Sequence, residues 1–417
     1  MRRLRLQKSL SVNAAALITA TIATNAFGLA FWAVATHVRS TEVVGRAAAG
    51  VAALTLLATV SQLNLTNVFI RLLPAAGRWS RYLIVRGYLA VLALATLIAA
   101  VYAATGLSGQ VLAGGWPARV MFVIAVDVLA IFALQDAVLT ALRLTPFVPV
   151  ENISSALLRL ALIPVLIVLP SANGLVLAWV TPAALAVIVV NRLLFARALP
   201  ALAHSEGSLP HRRRLLSFTA GEYVQSIFAT ATAQLMPLII IWRLGPTAAA
   251  YFTLPWLILG GISLLLWNVA SSFVVEVASN RGDPEALLRR SLMFWGAIVL
   301  GAFLVCVLGA RPLLEVAGGN YATHGETLLR LLGLSVPFTA LGAVCGTLLW
   351  LEQRVWLLAA CQVAAATTLL LASFVLLPRF GLPVVGLAMI AIQALVAAGL
   401  TPLAIRRIRS RKLVVAT

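Results

Sequence analysis

Amide and charged side chains recur inside long apolar segments of this 417-residue sequence, and they are the residues best able to do chemistry. Such side chains cost free energy in hydrocarbon unless they are paired or hydrated, so each is a candidate site. The residues that form the candidate polar faces are Asn25, Asn64, Asn67, Arg71, Arg159, Glu222, Gln225, Gln234 and Asn268. Their donors and acceptors suit a polar or anionic solute in a hydrated cavity. The alternative is helix packing, because amide and small side chains also join helices within a membrane.

Several charged residues are candidates for gating or coupling rather than binding. We expect a structural ion pair between Asp136 and Arg159, which lie deep in neighbouring segments; the alternative is that Arg159 contacts an anion in the cavity. Asp127 lies on another face from Asp136 and has no obvious partner, so it could titrate and couple transport to protons. Arg71 and Glu276 end the inner turns of two corresponding segments, which predicts a gate at the cytoplasmic mouth.

Catalytic chemistry finds little support in the sequence. The histidines, at positions 37, 204, 211 and 324, are scattered, and the sequence has neither metal-ligand spacing nor a phosphate-binding glycine loop. The three cysteines fall inside apolar segments, which predicts no disulfide framework and no thiol-metal site. We therefore expect a protein that is not an enzyme and has no bound metal or cofactor, with a proton or sodium gradient as the candidate energy source.

The elements that must position these residues are apolar segments of about 20 residues, the length at which a helix crosses a hydrocarbon core of about 30 Å. Hydrophobic residues make up 62% of the chain and charged residues 10%, and the mean hydropathy is +1.03. We predict about twelve transmembrane helices, and hence an all-α, polytopic membrane protein. They are 12–37, 47–71, 83–104, 118–142, 152–169, 174–196, 217–242, 248–277, 291–309, 327–350, 355–377 and 383–404.

Basic residues are distributed unevenly between the loops. The formal net charge of +19 would suggest a nucleic-acid partner in a soluble chain. Here the Arg and Lys residues collect in alternate loops and near both ends, which is typical of the cytoplasmic side of a membrane protein. The pattern predicts that both termini are cytoplasmic and that the partner is a lipid bilayer rather than nucleic acid.

The two halves of the chain carry weakly similar motifs. The Phe-Ile pair at 69–70 matches the Phe-Val pair at 273–274, at an offset close to half of the chain. Six segments precede and six follow the polar stretch 204–214. We therefore predict an N-terminal lobe at 1–203 and a C-terminal lobe at 215–417, joined by a cytoplasmic linker. Two six-helix lobes in parallel orientation around a central cavity are a recurrent transporter design.

Three short motifs resemble those of a transporter family. The stretch from Ser61 to Arg78, SQLNLTNVFIRLLPAAGR, resembles the second-helix signature of lipid-linked oligosaccharide flippases of the O-antigen type. The stretches TEVVGRAAA from Thr41 and LGPTAAAYFTLPW from Leu244 resemble the turn elements of that family's two halves. These flippases belong to the multidrug, oligosaccharidyl-lipid and polysaccharide exporter superfamily.

The resemblance implies two lobes around a cavity that opens alternately to the two faces of the membrane. The implied substrate is an undecaprenyl-pyrophosphate-linked saccharide, moved from the inner to the outer leaflet of a bacterial plasma membrane, with glycan-synthesis membrane enzymes as further partners. The chain departs from the family at Gln234-Leu235-Met236, because many relatives have an acidic residue after the glutamine. The resemblance therefore does not carry ion coupling over to this helix.

Three other functions stay open. A small-solute or drug exporter of the same superfamily would favour aromatic cavity residues and a buried acid over arginine. A membrane glycan polymerase needs catalytic groups in a sizeable outer loop, whereas the predicted outer loops 106–117 and 310–326 are small. A non-transporting scaffold for cell-envelope synthesis would fit the loss of a coupling acid.

Overall fold

The chain is helical wherever regular secondary structure is described. The computed structural model describes residues 22–105, 108–109, 111, 114–144, 146–166, 172–202, 205–206, 212–278, 284–351 and 354–409. For 212–226 and a few other helical residues it describes the backbone alone. The chain divides into two compact units, lobe 1 (Met1–Tyr223) and lobe 2 (Val224–Thr417). The predicted linker 204–214 lies largely outside the described residues, and a helix already begins at Arg212.

The described helices of lobe 1 differ widely in length. They are α1 Ile22–Val38, α2 Thr41–Ser61, α3 Leu65–Ala76, α4 Ser80–Ala104, α5 Gly115–Ala141, α6 Phe147–Leu166, α7 Ala172–Leu193 and the single turn α8 Leu199–Ala201. A 3₁₀ turn, Gly77–Trp79, joins α3 to α4, and a π-helical turn, Leu194–Ala198, joins α7 to α8. The next helix, α9 (Arg212–Leu244), begins in lobe 1 and continues into lobe 2.

Lobe 2 is organised around one long helix. Its further described helices are α10 Pro246–Ala278, α11 Pro284–Phe303, α12 Ala310–Glu315, α13 Gly319–Leu351, α14 Val355–Phe380 and α15 Pro383–Arg409. A π-helical turn, Leu304–Leu308, follows α11. Because α13 packs against α10, α11, α12, α14 and α15, it is the central helix of this lobe.

Eleven described helical segments are long and apolar enough to cross a membrane. The described part of α1 is a shorter apolar helix, and the rest of the predicted first segment lies outside the described residues. The run Leu65–Ala104 counts as one of the eleven, yet a straight helix of that length would extend about 60 Å, twice a hydrocarbon core. The chain turns within it at Gly77, whose φ is +48°. The prediction of an all-α polytopic fold in two lobes is confirmed.

Small residues allow the helices of lobe 1 to approach closely. Helix α2 packs against α5 and α7 and buries Gly45, Ala47, Ala48, Ala49, Gly50, Ala52 and Ala53. Close backbone approach through such residues is a usual way to join helices in lipid. The same device joins α3 to α4, because the Phe69 ring lies against the bare backbone of Gly87. A Cβ atom at position 87 would be 2.4 Å from Phe69 Cζ, so any side chain there would force the ring to shift.

Two sequence-based predictions of local structure are wrong. The second predicted segment, 47–71, is not continuous, because α2 ends at Ser61 and a turn precedes α3. In that turn Leu63 and Asn64 have φ values of 46° and 62°, a left-handed conformation that interrupts a right-handed helix and that Asn adopts more readily than most residues. The predicted outer loop 310–326 is mostly helical, because α12 and the first turns of α13 occupy it.

Candidate functional site

A network of amide and carboxylate side chains joins α5, α6 and α7 at one end of lobe 1. Its members are Gln135, Asp136, Glu151, Asn152 and Asn191, called the polar network below. Gln135 donates from Nε2 to Glu151 Oε1. Asn152 donates to Asp136 Oδ2 over 3.2 Å, and Asn191 donates to Gln135 Oε1 over 3.1 Å. Each bond crosses from one helix to another, so the polar network fixes the three helices by side chains rather than by backbone.

The turn between α5 and α6 explains why these side chains meet. Helix α5 ends at Ala141, Arg143 has a φ of 62°, and the amide of Leu144 donates to the carbonyl of Leu139 over 2.8 Å. This closure is the usual left-handed ending of an α-helix. The chain then re-enters a helix at Phe147. The last turns of α5 therefore lie beside the first turns of α6. The pair Gln135-Asp136 on α5 faces the pair Glu151-Asn152 on α6.

The polar network is buried and has unsatisfied acceptors. Gln135 is fully buried and Glu151 is 5% exposed. Three buried oxygens, Glu151 Oε2, Asp136 Oδ1 and Asn191 Oδ1, have no hydrogen-bond partner among the described residues. Neither carboxylate forms an ion pair within that part of the chain, and the two carboxylates repel each other. Buried polar atoms in native proteins are nearly always paired, with protein, water or an ion, so these oxygens keep an acceptor capacity that the described protein atoms do not use.

A second polar element, Arg159, lies further along α6 against aromatic rings. Its guanidinium carbon is 4.2 Å from the centroid of the Trp179 ring on α7. Trp179 in turn contacts Phe31 and Trp32 of α1, with ring centroids 5.3 Å and 5.9 Å away. Arg159 Nε is buried and has no hydrogen-bond partner in the described structure. The cation is therefore held by stacking, and part of its hydrogen-bonding capacity is unused.

The expected ion pair between Asp136 and Arg159 is not formed. Asp136 faces Asn152, whereas Arg159 lies seven residues further along α6, about 10 Å at the rise of an α-helix. That distance is beyond the reach of a short aspartate side chain. The alternative for Arg159, contact with an anion in the cavity, stays a prediction.

The break after α2 changes the context of the polar stripe predicted on the second helix. Ser61 ends α2 and donates to the carbonyl of Ala58, so its hydroxyl is satisfied within its own helix. Asn67 donates to Asn64 Oδ1 over 2.7 Å across the turn. Arg71 is exposed on α3. Asn64, Asn67 and Arg71 therefore do not continue one helical face from Ser61, and their role as cavity residues stays a prediction.

The other predicted site residues are spread over several helices. Asp127 on α5 does have a partner, because Thr96 on α4 donates to its Oδ2 over 2.9 Å. Half-buried side chains are those of Asn25 on α1, Gln234 on α9, and Asn268 and Glu276 on α10. The Asn268 Nδ2 atom is buried and has no described partner. The side chains of Glu222 and Gln225 lie outside the described residues. Arg71 belongs to lobe 1 and Glu276 to lobe 2, and the gate between them stays a prediction.

Sequence reasoning missed three members of the polar network: Gln135, Glu151 and Asn191. The predicted start of the fifth helix, at 152, left Glu151 in a loop, whereas α6 begins a turn earlier. A usable signal was present, because the dipeptides Gln135-Asp136 and Glu151-Asn152 flank a short turn between two apolar segments. Asn191 had no comparable signal, because its contact with Gln135 spans 56 residues of sequence.

Comparison with solved structures identifies the fold. The chain is similar to the inward-facing conformation of a multidrug resistance MATE family transporter of the MOP superfamily, with a TM-score of 0.66, 11% identity, and coverage of 95% of this chain and 98% of that one. It is also similar to the MATE multidrug transporter DinF-BH, solved in complex with a ligand, with a TM-score of 0.59, 16% identity, and coverage of 98% and 96%. The sequence matches no protein-family model and no curated protein sequence. The chain thus has the fold of these transporters, and the narrower resemblance to oligosaccharide flippases rests on the sequence motifs.

Proposed function

We propose that the protein is a flippase that moves a lipid-linked, undecaprenyl-pyrophosphate-type saccharide from the inner to the outer leaflet by alternating access. The observation that supports this function best is Arg159. It is a guanidinium deep in a membrane-spanning helix that has no carboxylate partner among the described residues, stacks on Trp179 and leaves Nε unpaired. A cation at such a position that has no carboxylate partner favours an anionic ligand.

A pyrophosphate is the anion that matches this arrangement. Its oxygens accept hydrogen bonds from the planar fork of an arginine, which lysine cannot reproduce as a point charge. The Trp179 ring, which itself packs against Phe31 and Trp32, stacks on the guanidinium and helps to keep its plane in place. An anion and sugars in bare hydrocarbon would pay a desolvation cost of tens of kcal/mol by idealised estimates, which a polar path avoids while the lipid tail stays in the bilayer.

The proposal also includes a location, partners and an energy source. The protein would lie in a bacterial plasma membrane with both termini cytoplasmic, as the asymmetry of basic residues predicts. Its partners would be the lipid-linked glycan, the bilayer and membrane enzymes of glycan synthesis. It would use an ion gradient or the substrate gradient rather than a bound nucleotide.

A second candidate function is export of small aromatic solutes. The aromatic cluster of Phe31, Trp32 and Trp179 favours it, because flat rings bind flat solutes by stacking. The transporters with a similar fold are described as multidrug transporters. An organic cation, however, would be repelled by Arg159, so the two candidates make opposite demands on that residue.

The test uses purified full-length protein in liposomes that contain a fluorescent undecaprenyl-pyrophosphate saccharide. Translocation is measured as the fraction of label that a membrane-impermeant quencher reaches with time. Arg159→Lys should slow translocation by about tenfold, because a lysine replaces several directed hydrogen bonds by one point charge. Arg243→Lys is the matched control, because Arg243 also stacks on a ring, that of Phe374 at 4.6 Å, but is exposed at the end of its helix.

The same liposomes discriminate between the rival functions. Accumulation of a fluorescent organic cation by the wild type, without movement of the lipid, would replace the flippase by the exporter. Faster cation transport in Arg159→Leu would strengthen that conclusion. If the wild-type protein inserts normally but moves neither probe, the flippase and the exporter are both contradicted. The non-transporting scaffold would then be the favoured function.

A further inference from the structure

We propose that lobe 2 binds an anionic phospholipid of the bilayer, with one acyl chain in a groove between α13 and α15 and its phosphate on Arg406. The site lies within lobe 2 and is separate from Arg159. It goes beyond transport, because the lipid that it binds is not the one that the protein moves.

The groove lies along one face of α15. Its volume is about 570 Å³, within the range of about 300–1,000 Å³ that is usual for ligand sites. Ala394, Ala397 and Ala398 line it on the α15 side, at spacings of three and four residues that place them on one face of the helix. Phe338 and Leu341 of α13 line the other side. Short side chains opposite bulky ones therefore leave a recess between two packed helices.

The groove lies outside the buried core of the lobe. Leu400 and Ala404, on another face of α15, belong to that core. By contrast Phe338, Leu341 and Ile405 of the groove are exposed. The groove is thus an accessible surface feature of membrane-spanning helices rather than a cavity within the core.

The lining suits a hydrocarbon chain and not a hydrated solute. Thr401 is the single hydroxyl residue of the lining, and it donates to the carbonyl of Ala397 over 2.6 Å. Apart from Thr401 and Arg406, the residues that line the groove are apolar. An alkyl chain loses no hydrogen bond in such surroundings, whereas the polar groups of a solute would be left unpaired.

The charge at one end of the groove selects the headgroup. Arg406 is exposed there and forms no ion pair with the part of the chain that the structure describes. Five basic residues fall within 406–412 of the sequence, and basic clusters beside a membrane-spanning helix attract anionic lipids. A guanidinium also binds phosphate oxygens through two parallel hydrogen bonds. An apolar groove that ends at an arginine is therefore complementary to an acyl chain that ends at a phosphate.

The length of the groove fits one leaflet. Ala394 and Arg406 lie twelve residues apart on α15, which is about 18 Å at the rise of an α-helix. Half of a hydrocarbon core is about 15 Å, so the groove has the length of an acyl chain that extends from the headgroup to the bilayer centre. An undecaprenyl chain is longer than one leaflet, which favours a bilayer lipid over the tail of the transported substrate.

The experiment uses purified full-length protein in phosphatidylcholine liposomes that contain a small amount of a lipid with a diazirine on one acyl chain. This photoreactive lipid is phosphatidylglycerol in one sample and phosphatidylcholine in the other. After illumination, digestion and mass spectrometry locate the labelled residues. We expect phosphatidylglycerol to label the groove about fivefold more than phosphatidylcholine, as for one basic residue near an anionic headgroup, and both lipids to label the rest of lobe 2 equally.

Two variants test the two ends of the lipid separately. Ala398→Trp fills the recess and should remove the label from the groove, whereas Leu395→Trp is the matched control, because Leu395 is exposed on α15 but does not line the groove. Arg406→Gln should lower labelling by phosphatidylglycerol to the level of phosphatidylcholine. Arg289→Gln, which changes an exposed arginine of α11, should leave it unchanged. Arg406→Gln also covers the case in which Ala398→Trp does not fold.

Three results would overturn the proposal. The first is equal labelling of the groove by the two lipids in the wild type. The second is an equal loss of label in Arg406→Gln and Arg289→Gln. The third is a groove label that unlabelled undecaprenyl phosphate suppresses and unlabelled phosphatidylglycerol does not, because the groove would then hold the tail of the substrate. Since no translocation is measured, these outcomes are independent of the flippase test.

Discussion

In lobe 1 the buried amides and carboxylates bond from helix to helix, whereas in lobe 2 three buried hydroxyls bond back to their own helix. Thr253, Thr347 and Ser335 donate to carbonyls three or four residues earlier, at 2.7 to 2.8 Å. Two indole groups of lobe 2, those of Trp256 and Trp295, donate to backbone carbonyls of a neighbouring helix. The three hydroxyls are thus satisfied within their own helix, as is usual for hydroxyls in membrane helices. The two indole groups are satisfied by backbone rather than by other side chains.

The difference concerns which described polar atoms still have an unused hydrogen bond. A hydroxyl that bonds to its own backbone has no unused hydrogen bond to offer a solute. The polar network has unpaired acceptor oxygens, and Arg159 has an unpaired Nε donor. Asn268 and Ser373 are exceptions in lobe 2, because Asn268 Nδ2 and Ser373 Oγ are buried without a hydrogen-bond partner among the described residues. Among the described residues, the unpaired carboxylate and guanidinium atoms lie in lobe 1.

The largest expected effect concerns whether the two lobes have the same orientation. Single cysteines at Gly109 and Thr247, both exposed, should react fully with a membrane-impermeant maleimide added to intact cells, and one at Ser208 should not. The background would lack Cys306, Cys345 and Cys361. Gly109 is a better probe than its neighbour Ser108, which is 2% exposed. Labelling at only one of 109 and 247 would mean that the lobes are not parallel repeats, and labelling at 208 would invert the predicted topology.

A smaller effect should separate the two kinds of buried polar group. Gln135→Leu removes a donor from a buried carboxylate and should lower the free energy of unfolding by about 2 kcal/mol. Ser335→Ala removes a hydroxyl that bonds within its own helix and should cost about 0.5 kcal/mol or less, because alanine is the better helix former. Both changes are read as shifts of the denaturation midpoint in detergent. Equal shifts would remove the distinction between the lobes.

The smallest expected effect is the coupling free energy between Asp136 and Arg159, which should be close to zero. Since Asp136 and Arg159 form no ion pair, Asp136→Leu and Arg159→Leu should combine additively, within about 0.5 kcal/mol of free energy of unfolding. The control cycle pairs Asp136→Leu with Asn152→Leu, whose side chains are hydrogen-bonded, and should give a coupling of about 1 kcal/mol. If Asp136→Leu recovers the stability that is lost in Arg159→Leu, the result would support the ion pair expected from the sequence.

The helical spans could be predicted from the sequence because hydrocarbon leaves the backbone few alternatives. Every amide and carbonyl in the bilayer must bond within its own segment, so an apolar run of sufficient length is a helix whatever its exact residues. The sequence also identified Arg159 and Asp136 as exceptional, because charges in such runs need a reason. It could not assign their partners, since Asn152 and Trp179 are chosen by how α5, α6 and α7 pack.

The break at Asn64 shows a different limit. Asn, Gln, Ser and Thr serve equally well on the polar face of a helix and in a turn, because their side chains can replace backbone hydrogen bonds. The stretch from Ser61 to Asn67 was therefore compatible with both structures. Only the conformation of Leu63 and Asn64, with positive φ, decides for the turn.

The contact between Phe69 and Gly87 has a consequence for the variation that this gene can tolerate. Position 87 favours the absence of a side chain, because a methyl group there would overlap the buried Phe69 ring and displace it. A missense change there should be tolerated better when position 69 carries a smaller residue in the same allele. We therefore expect substitutions at the two codons to constrain each other: one specifies bulk, the other its exclusion.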